Sequence, residues 1–345
     1  MRIIVVFALI LLLLPMKVQA AEITPPPPGE LGEKYMPEDT GSFADGLWGI
    51  VQKGIQYAVP SLTEAAAVCA KLIVMIMILA LVKVIWNGGR ILELIGTVAV
   101  SCILLNSSTT LVSLAAETVR QISDYGKLIV PMMASALAGE GGITTAATLY
   151  TGTVVFDTVL SSLISNLLIP LVYVYLVLSV GGQATGEKAL TSIRDFVKWL
   201  MTWTLKIILY VFTGYMGITK VISGSADAAS LKAAKISISG MVPVVGGIIS
   251  DTSEAILISA QLVKNSLGVF GLLAIAAMWV EPFFKIGIQY LLLKATASFC
   301  AVFELKGPVG VIKNFSVAMG YLLAMTAAVC IMLLVSIVCL MKGVA

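Results

Sequence analysis

The sequence predicts an all-α, polytopic membrane protein with broken or re-entrant and amphipathic helices after a signal peptide, and three observations carry that prediction. Of the 345 residues, 59% are hydrophobic and 12% charged, whereas a soluble domain is roughly 45–50% apolar and about 25% charged. The mean hydropathy is +1.02. Apolar runs near the ~20 residues that a spanning helix needs recur along the chain, separated by prolines, glycine pairs and amphipathic stretches.

Residues 1–20, MRIIVVFALILLLLPMKVQA, carry Arg2, an apolar run over 3–14 closed by Pro15, and small residues before a cut after Ala20. That run is too short to span, so it reads as a signal peptide, with an uncleaved anchor as the alternative. Cleavage would leave the mature N-terminus outside the cytoplasm. Residues 21–60 are expected to be an extracytoplasmic tether and a short helix. The four prolines of TPPPPGELGEKYMPEDTG favour an extended spacer. Phe43, Leu47, Ile50 and Gly54 then share one face of a helix lying at the interface, which Pro60 should end.

Residues 61–345 form the multi-span helical domain. Ser61 and Glu64 have capping-box spacing ahead of a span over 65–86, ~33 Å long at about 1.5 Å per residue. NGGR turns the chain into a second span over 91–105, which NSSTT interrupts before an amphipathic stretch over 111–122. LIVPMMASALAGEGG is broken by Pro131 and its glycines and is too short to cross alone. A Ser/Thr-rich helix over 144–165 suits close packing, and an apolar run over 166–180 follows. An amphipathic stretch over 187–199 leads into a span over 199–221 with Trp199, Trp203 and Tyr210 as interface anchors. Long spans are expected over 268–293 and 317–341. Five continuous spans and two or three broken ones result. No single alternation of these segments puts the basic loops at Arg90, 188–198 and 306–313 on one side, so orientation stays open.

The net charge of +3 is spread out, without a basic block or basic–aromatic interleaving, so nucleic acid is not an expected partner. There is no histidine, which removes the commonest metal ligand and general base. Cys69, Cys102, Cys300, Cys330 and Cys339 lie in apolar runs without C-x-x-C spacing and read as free thiols. No nucleotide loop, metal cluster or nucleophile–base pair is visible. Neither enzymatic activity nor a cofactor is expected.

Two features could carry function. In SGMVPVVGGIISD, residues 239–251, Pro243, Gly246 and Gly247 interrupt an apolar run; Lys232 and Lys235 precede it, Asp251 and Glu254 follow. Broken backbone in hydrocarbon needs protein or water around it. The segment reads as a discontinuous helix beside a conduit, or as a hairpin at the membrane surface. The second feature is Glu281, preceded by thirteen uncharged residues and followed by Pro282. Lys285 sits four residues later on the same helix face. The group reads as a gating or relay site, or as a neutralised pair that holds the bundle. Lys71, Glu93 and Lys206 are further candidates for pairing across helices.

The stretch SGSADAASLKAAKISISGMVPVVGGIISDTSEAI (223–256), with LVKNSLGVFGL (262–272) after it, resembles the signature region of the stage III sporulation protein AE family. The resemblance extends more loosely over most of the chain, through ITTAATLY (143–150) and the terminal span. It implies a role in endospore formation for a multi-pass protein of the mother-cell membrane around the engulfed forespore. It also implies partners: the other proteins of its operon, including a secretion-type ATPase and ring-forming proteins, and a forespore-side protein. With these the family forms a channel, or feeding tube, between the two cells, and homo-oligomers are possible. No catalytic residues carry over, and the proline-rich tether matches no family pattern. A stand-alone secondary transporter and a membrane scaffold are the competing functions. The transporter should show an internal inverted repeat, which is not visible here.

Overall fold

The structure is a computed structural model that describes residues 24–37, 43–86, 89–241 and 246–342; for 220–241, 246–261 and 263 it describes the backbone alone. The expected signal peptide, residues 1–20, lies outside the described residues. No strand occurs among the described residues. A one-turn helix α1 (Glu30–Glu33) precedes α2 (Phe43–Ile85), α3 (Gly89–Gly139) and α4 (Ile143–Leu163). A π-helical turn (Ile164–Leu168) joins α4 to α5 (Ile169–Thr185). Then come α6 (Lys188–Met241), α7 (Gly246–Cys300), a 3-10 turn (Ala301–Phe303) and α8 (Lys306–Lys342). Six of the described helical stretches are long and apolar enough to cross a membrane, with α4 and α5 counting as one. The protein is a multi-pass helical bundle.

The helices run through points where the sequence reads as interrupted. Pro60 lies inside α2 rather than ending it. One buried stripe, Gly46, Ile50, Gly54, Ala58, Ser61, Ala65, Cys69, Leu72 and Ile76, continues across the proline at helical spacing. Packing along that stripe outweighs the one hydrogen bond that proline removes. Ser61, expected as a cap, is part of the same stripe. Likewise α3 runs unbroken through NSSTT and Pro131. The buried stripe Val100, Leu104, Ser108, Val112 and Ala115 runs through it at helical spacing, and its hydroxyls are satisfied within the helix: Thr97 donates to the Glu93 carbonyl at 2.6 Å, Ser101 to Thr97 at 2.6 Å and Ser108 to Leu104 at 2.8 Å. The turn after α3 uses Gly141 at φ 93°, a region that glycine enters freely.

Packing centres on α8. Val311, Ile312, Phe315, Met319, Leu322, Met325 and Leu333 are all fully buried. α8 lies parallel to α3 and antiparallel to α7: Gly126 meets Leu333, while Gly271 meets Ile337 and Trp279 Nε1 donates to Thr326 Oγ1 at 3.2 Å. α2 packs along α7 through Gly46 against Leu273 and Gly54 against Val280 and Phe284. Small residues let two backbones approach in this way.

The six helices alternate in direction, so the α2–α3, α5–α6 and α7–α8 connections gather at one end. Arg90 donates to the Thr185 carbonyl, Lys83 Nζ to the Glu304 carbonyl at 3.3 Å, and Gly307 lies against Gln183 and Glu93. The three basic loops that no alternation reconciled are therefore neighbours. Reading 144–165 and 166–180 as two segments, where α4 and α5 make a single candidate crossing, had miscounted the crossings.

Phe315→Ala, at the centre of α8, should cost about 3–5 kcal/mol by removing a fully buried ring. Thermal unfolding in detergent checks this. Ile331→Ala on the exposed face of the same helix should shift stability by less than about 1 kcal/mol.

Candidate functional site

Glu281 and Lys285 form the expected i,i+4 ion pair on α7, with Nζ 2.6 Å from Oε1. The Glu281 side chain is 13% exposed and that of Lys285 41%. The pair gains a third member from far along the chain: Tyr35 donates its hydroxyl to Glu281 Oε2 at 3.3 Å. Burial, together with the facing Glu281 carboxylate, pushes the Tyr35 phenol above its ordinary range. Pro282, one residue on, lies inside α7 and leaves the carbonyl of Met278 without its helical donor.

Tyr35 reaches this point because the segment expected to be a free spacer is docked on the bundle. Leu31 N donates to Gln121 Oε1 of α3 at 3.0 Å, and Lys53 Nζ to the Met36 carbonyl at 2.8 Å. Tyr35 is 2% exposed and packs edge-on to Tyr57, over which Lys34 sits 4.0 Å from the ring centroid. Gly32 fits so tightly that a β-carbon there would lie 2.7 Å from the Met278 side chain.

Lys285 also lines a cavity of about 380 Å³ between α2, α3 and α7, with Ser61, Glu64, Asn106, Ser107, Thr110 and Gln289. Part of the NSSTT interruption thus becomes the polar wall of this cavity. Counting along α7 from Phe303 at 1.5 Å per residue, Lys285 lies about 27 Å and Glu281 about 33 Å from the end that carries the three connections. A hydrocarbon core of ~30 Å starting at that end stops near this level. The exposed charges Glu117, Arg120, Asp124 and Lys127 of α3, linked in ion pairs, lie beyond it. On that placement Glu281 would sit near a boundary of the core. The arrangement can hold water and a neutralised charge pair. No group of three or more metal-ligating side chains occurs among the described residues.

For the other candidate, α6 ends at Met241 and α7 opens at Gly246. Pro243 lies outside the described residues. Gly246, Gly247, Asp251 and Glu254 are helical backbone at the start of α7, and Lys232 and Lys235 belong to α6. Nothing in the described residues joins this segment to Glu281. Lys71, Glu93 and Lys206 are in no ion pair among the described residues.

Two buried polar contacts were not foreseen. Lys264 Nζ lies 2.5 Å from Glu140 Oε2, with the lysine side chain 3% exposed, and this pins α7 to the α3–α4 turn. The signal was a lysine inside LVKNSLGVFGL and a glutamate among the glycines of AGEGG. Ser123 donates to Asp157 Oδ2 at 2.6 Å between α3 and α4. Asp157 was the lone carboxylate in the Ser/Thr-rich run.

A family model described as Stage III sporulation protein AE matches residues 33–343. Among curated proteins, the Stage III sporulation protein AE of Bacillus subtilis (strain 168) is 22% identical over 182 residues, 53% of this chain and 46% of the relative. That alignment spans about half the length of each. No solved structure matches.

Tyr35→Phe should loosen the N-terminal segment and raise the rate of tryptic cleavage after Lys34 about fivefold, the effect of roughly 1 kcal/mol in a local opening equilibrium. Glu281→Gln should act similarly, and the double variant should add little.

Proposed function

The chain belongs to the stage III sporulation protein AE family and so has a role in sporulation, within which we propose that it is a membrane subunit of a channel complex joining mother cell and forespore. In this reading the protein is structural rather than enzymatic. Its partners are the other stage III proteins of its operon, a secretion-type ATPase and ring-forming proteins among them, with a forespore-side protein. It sits in the mother-cell membrane around the forespore.

The observation that carries the assembly reading is the closed core. The helices α3, α7 and α8 meet in one continuous cluster of buried apolar side chains, so a passage of any width belongs between chains rather than through one. A second support is the exposed apolar surface at the far end, where Trp48 (68%) and Ile143 (67%) lie well past the Glu281 level. Apolar surface there is suited to cover by protein. The cations Lys83, Arg90, Lys188, Arg194, Lys198 and Lys306 gather at the end with three connections. Lys34, Lys53, Arg120, Lys127 and Lys264 lie at the other end, so the orientation rests on the expected signal peptide, which favours the start of α2 outside the cytoplasm. The polar cavity beside Lys285 favours one alternative, a stand-alone transporter with its site there. That reading requires substrate flux by the purified chain alone.

Deletion in the source organism, followed by microscopy and a late forespore reporter, should give arrest after engulfment with a small, silent forespore. Normal spores would contradict the proposal. Gly246→Leu with Gly247→Leu should abolish complementation at unchanged membrane levels, provided the α6–α7 junction borders the passage or a partner. Full complementation by that variant would remove the junction from the account.

A further inference from the structure

A second cavity, of about 450 Å³, lies between α7 and α8 near their connection, within the range of small-ligand sites. It is largely apolar, through residues such as Ala297, Val309 and Val317, yet Lys294 and Lys313 both line it. Among the described residues neither lysine is in an ion pair. The recorded contacts of the Lys294 ammonium are the Tyr290 hydroxyl at 3.3 Å and the Tyr290 ring at 5.5 Å. The two serines on the wall are occupied locally: Ser298 donates to the Lys294 carbonyl and Ser316 to the Tyr290 carbonyl. Two exposed lysines thus border an apolar recess whose lining residues include no carboxylate.

Position identifies what would. Lys294 lies about 13 Å along α7 from Phe303 and Lys313 about 10 Å along α8 from Lys306, at the end where three basic connections meet. Lysines at this depth extend their ammonium groups toward the polar layer. Leu291, 63% exposed, and Ser298 share the helix face of Lys294, and Phe299, 56% exposed, adjoins it. The recess is therefore bordered by surface suited to an acyl chain, with its cations toward the headgroup region. Basic pockets between spanning helices bind anionic headgroups on these terms.

We propose that the α7–α8 cavity is a binding site for an anionic phospholipid, whose phosphate is held between Lys294 and Lys313. The site rests on the cavity and its two unmatched charges, and stands apart from the channel reading.

The test uses the full chain in nanodiscs of phosphatidylcholine with or without phosphatidylglycerol, and counts retained lipid by native mass spectrometry. Two cations beside an anionic headgroup should give a preference for phosphatidylglycerol of roughly 30-fold. Lys294→Gln with Lys313→Gln should bring it to within about twofold of parity, and each single change should lower it about fivefold. Lys294→Arg with Lys313→Arg should keep it, as should Lys188→Gln with Lys198→Gln, which removes charge at the same end but outside the cavity. A preference that survives in the double glutamine variant, or falls equally in the Lys188/Lys198 variant, would overturn the site. Displacement of the lipid by millimolar inorganic phosphate would replace it with a free-anion site.

Discussion

Hydrocarbon offers no hydrogen bonds, so each backbone N–H and C=O within it must find its partner inside the protein. Every long element of this bundle obeys that constraint. A break in a lipid-facing helix would strand polar groups at several kcal/mol each, whereas a proline or a run of hydroxyl residues inside a continuous helix costs far less. In the same way α2 carries Pro60, α3 carries Pro131 and α7 carries Pro282 without ending there, because packing along their buried faces outweighs the hydrogen bond each proline removes. Serine and threonine side chains that would favour turns in water donate instead to carbonyls a turn earlier. The π-helical turn between α4 and α5 fits the same pattern, because it adds a residue without interrupting the crossing.

Continuity then sets topology. Six unbroken crossings alternate in direction, and alternation brings three connections to one end. Their basic residues form a single cationic rim, tied by Arg90 and Lys83 to carbonyls of neighbouring turns. The same geometry leaves the far end to the α3–α4 turn and the docked N-terminal segment. Functional features divide accordingly. The Lys294–Lys313 recess lies near the rim, and the Glu281–Lys285 pair with its polar cavity lies where a hydrocarbon core would end.

The helical class and the multi-pass character were legible in composition and in the apolar runs, and the Glu281–Lys285 pair in its four-residue spacing. Element boundaries were less legible. Pro60 and NSSTT are genuine local signals for a break, overridden by the buried stripes of α2 and α3. The contacts that hold the site together could not be read from local pattern at all. Tyr35 meets Glu281 across 246 residues, and Lys264 meets Glu140 across 124. Periodicity reports which face of a helix is apolar but not which distant segment covers it. The TPPPPGELGEKY stretch has the composition of a spacer, and only tertiary contacts of Leu31 with Gln121 and of Gly32 with Met278 make it part of the bundle.

The central claim is that the α2–α3, α5–α6 and α7–α8 connections share one side of the membrane. Single cysteines at Lys83, Glu187 and Glu304, and a fourth at Glu33, placed in a background with the five native cysteines replaced, test it through a membrane-impermeant maleimide. The account predicts that the first three react only in inverted vesicles and Glu33→Cys only in intact cells. Reaction of any one of the three from the side opposite to the other two would contradict the six-crossing bundle and the orientation built on it.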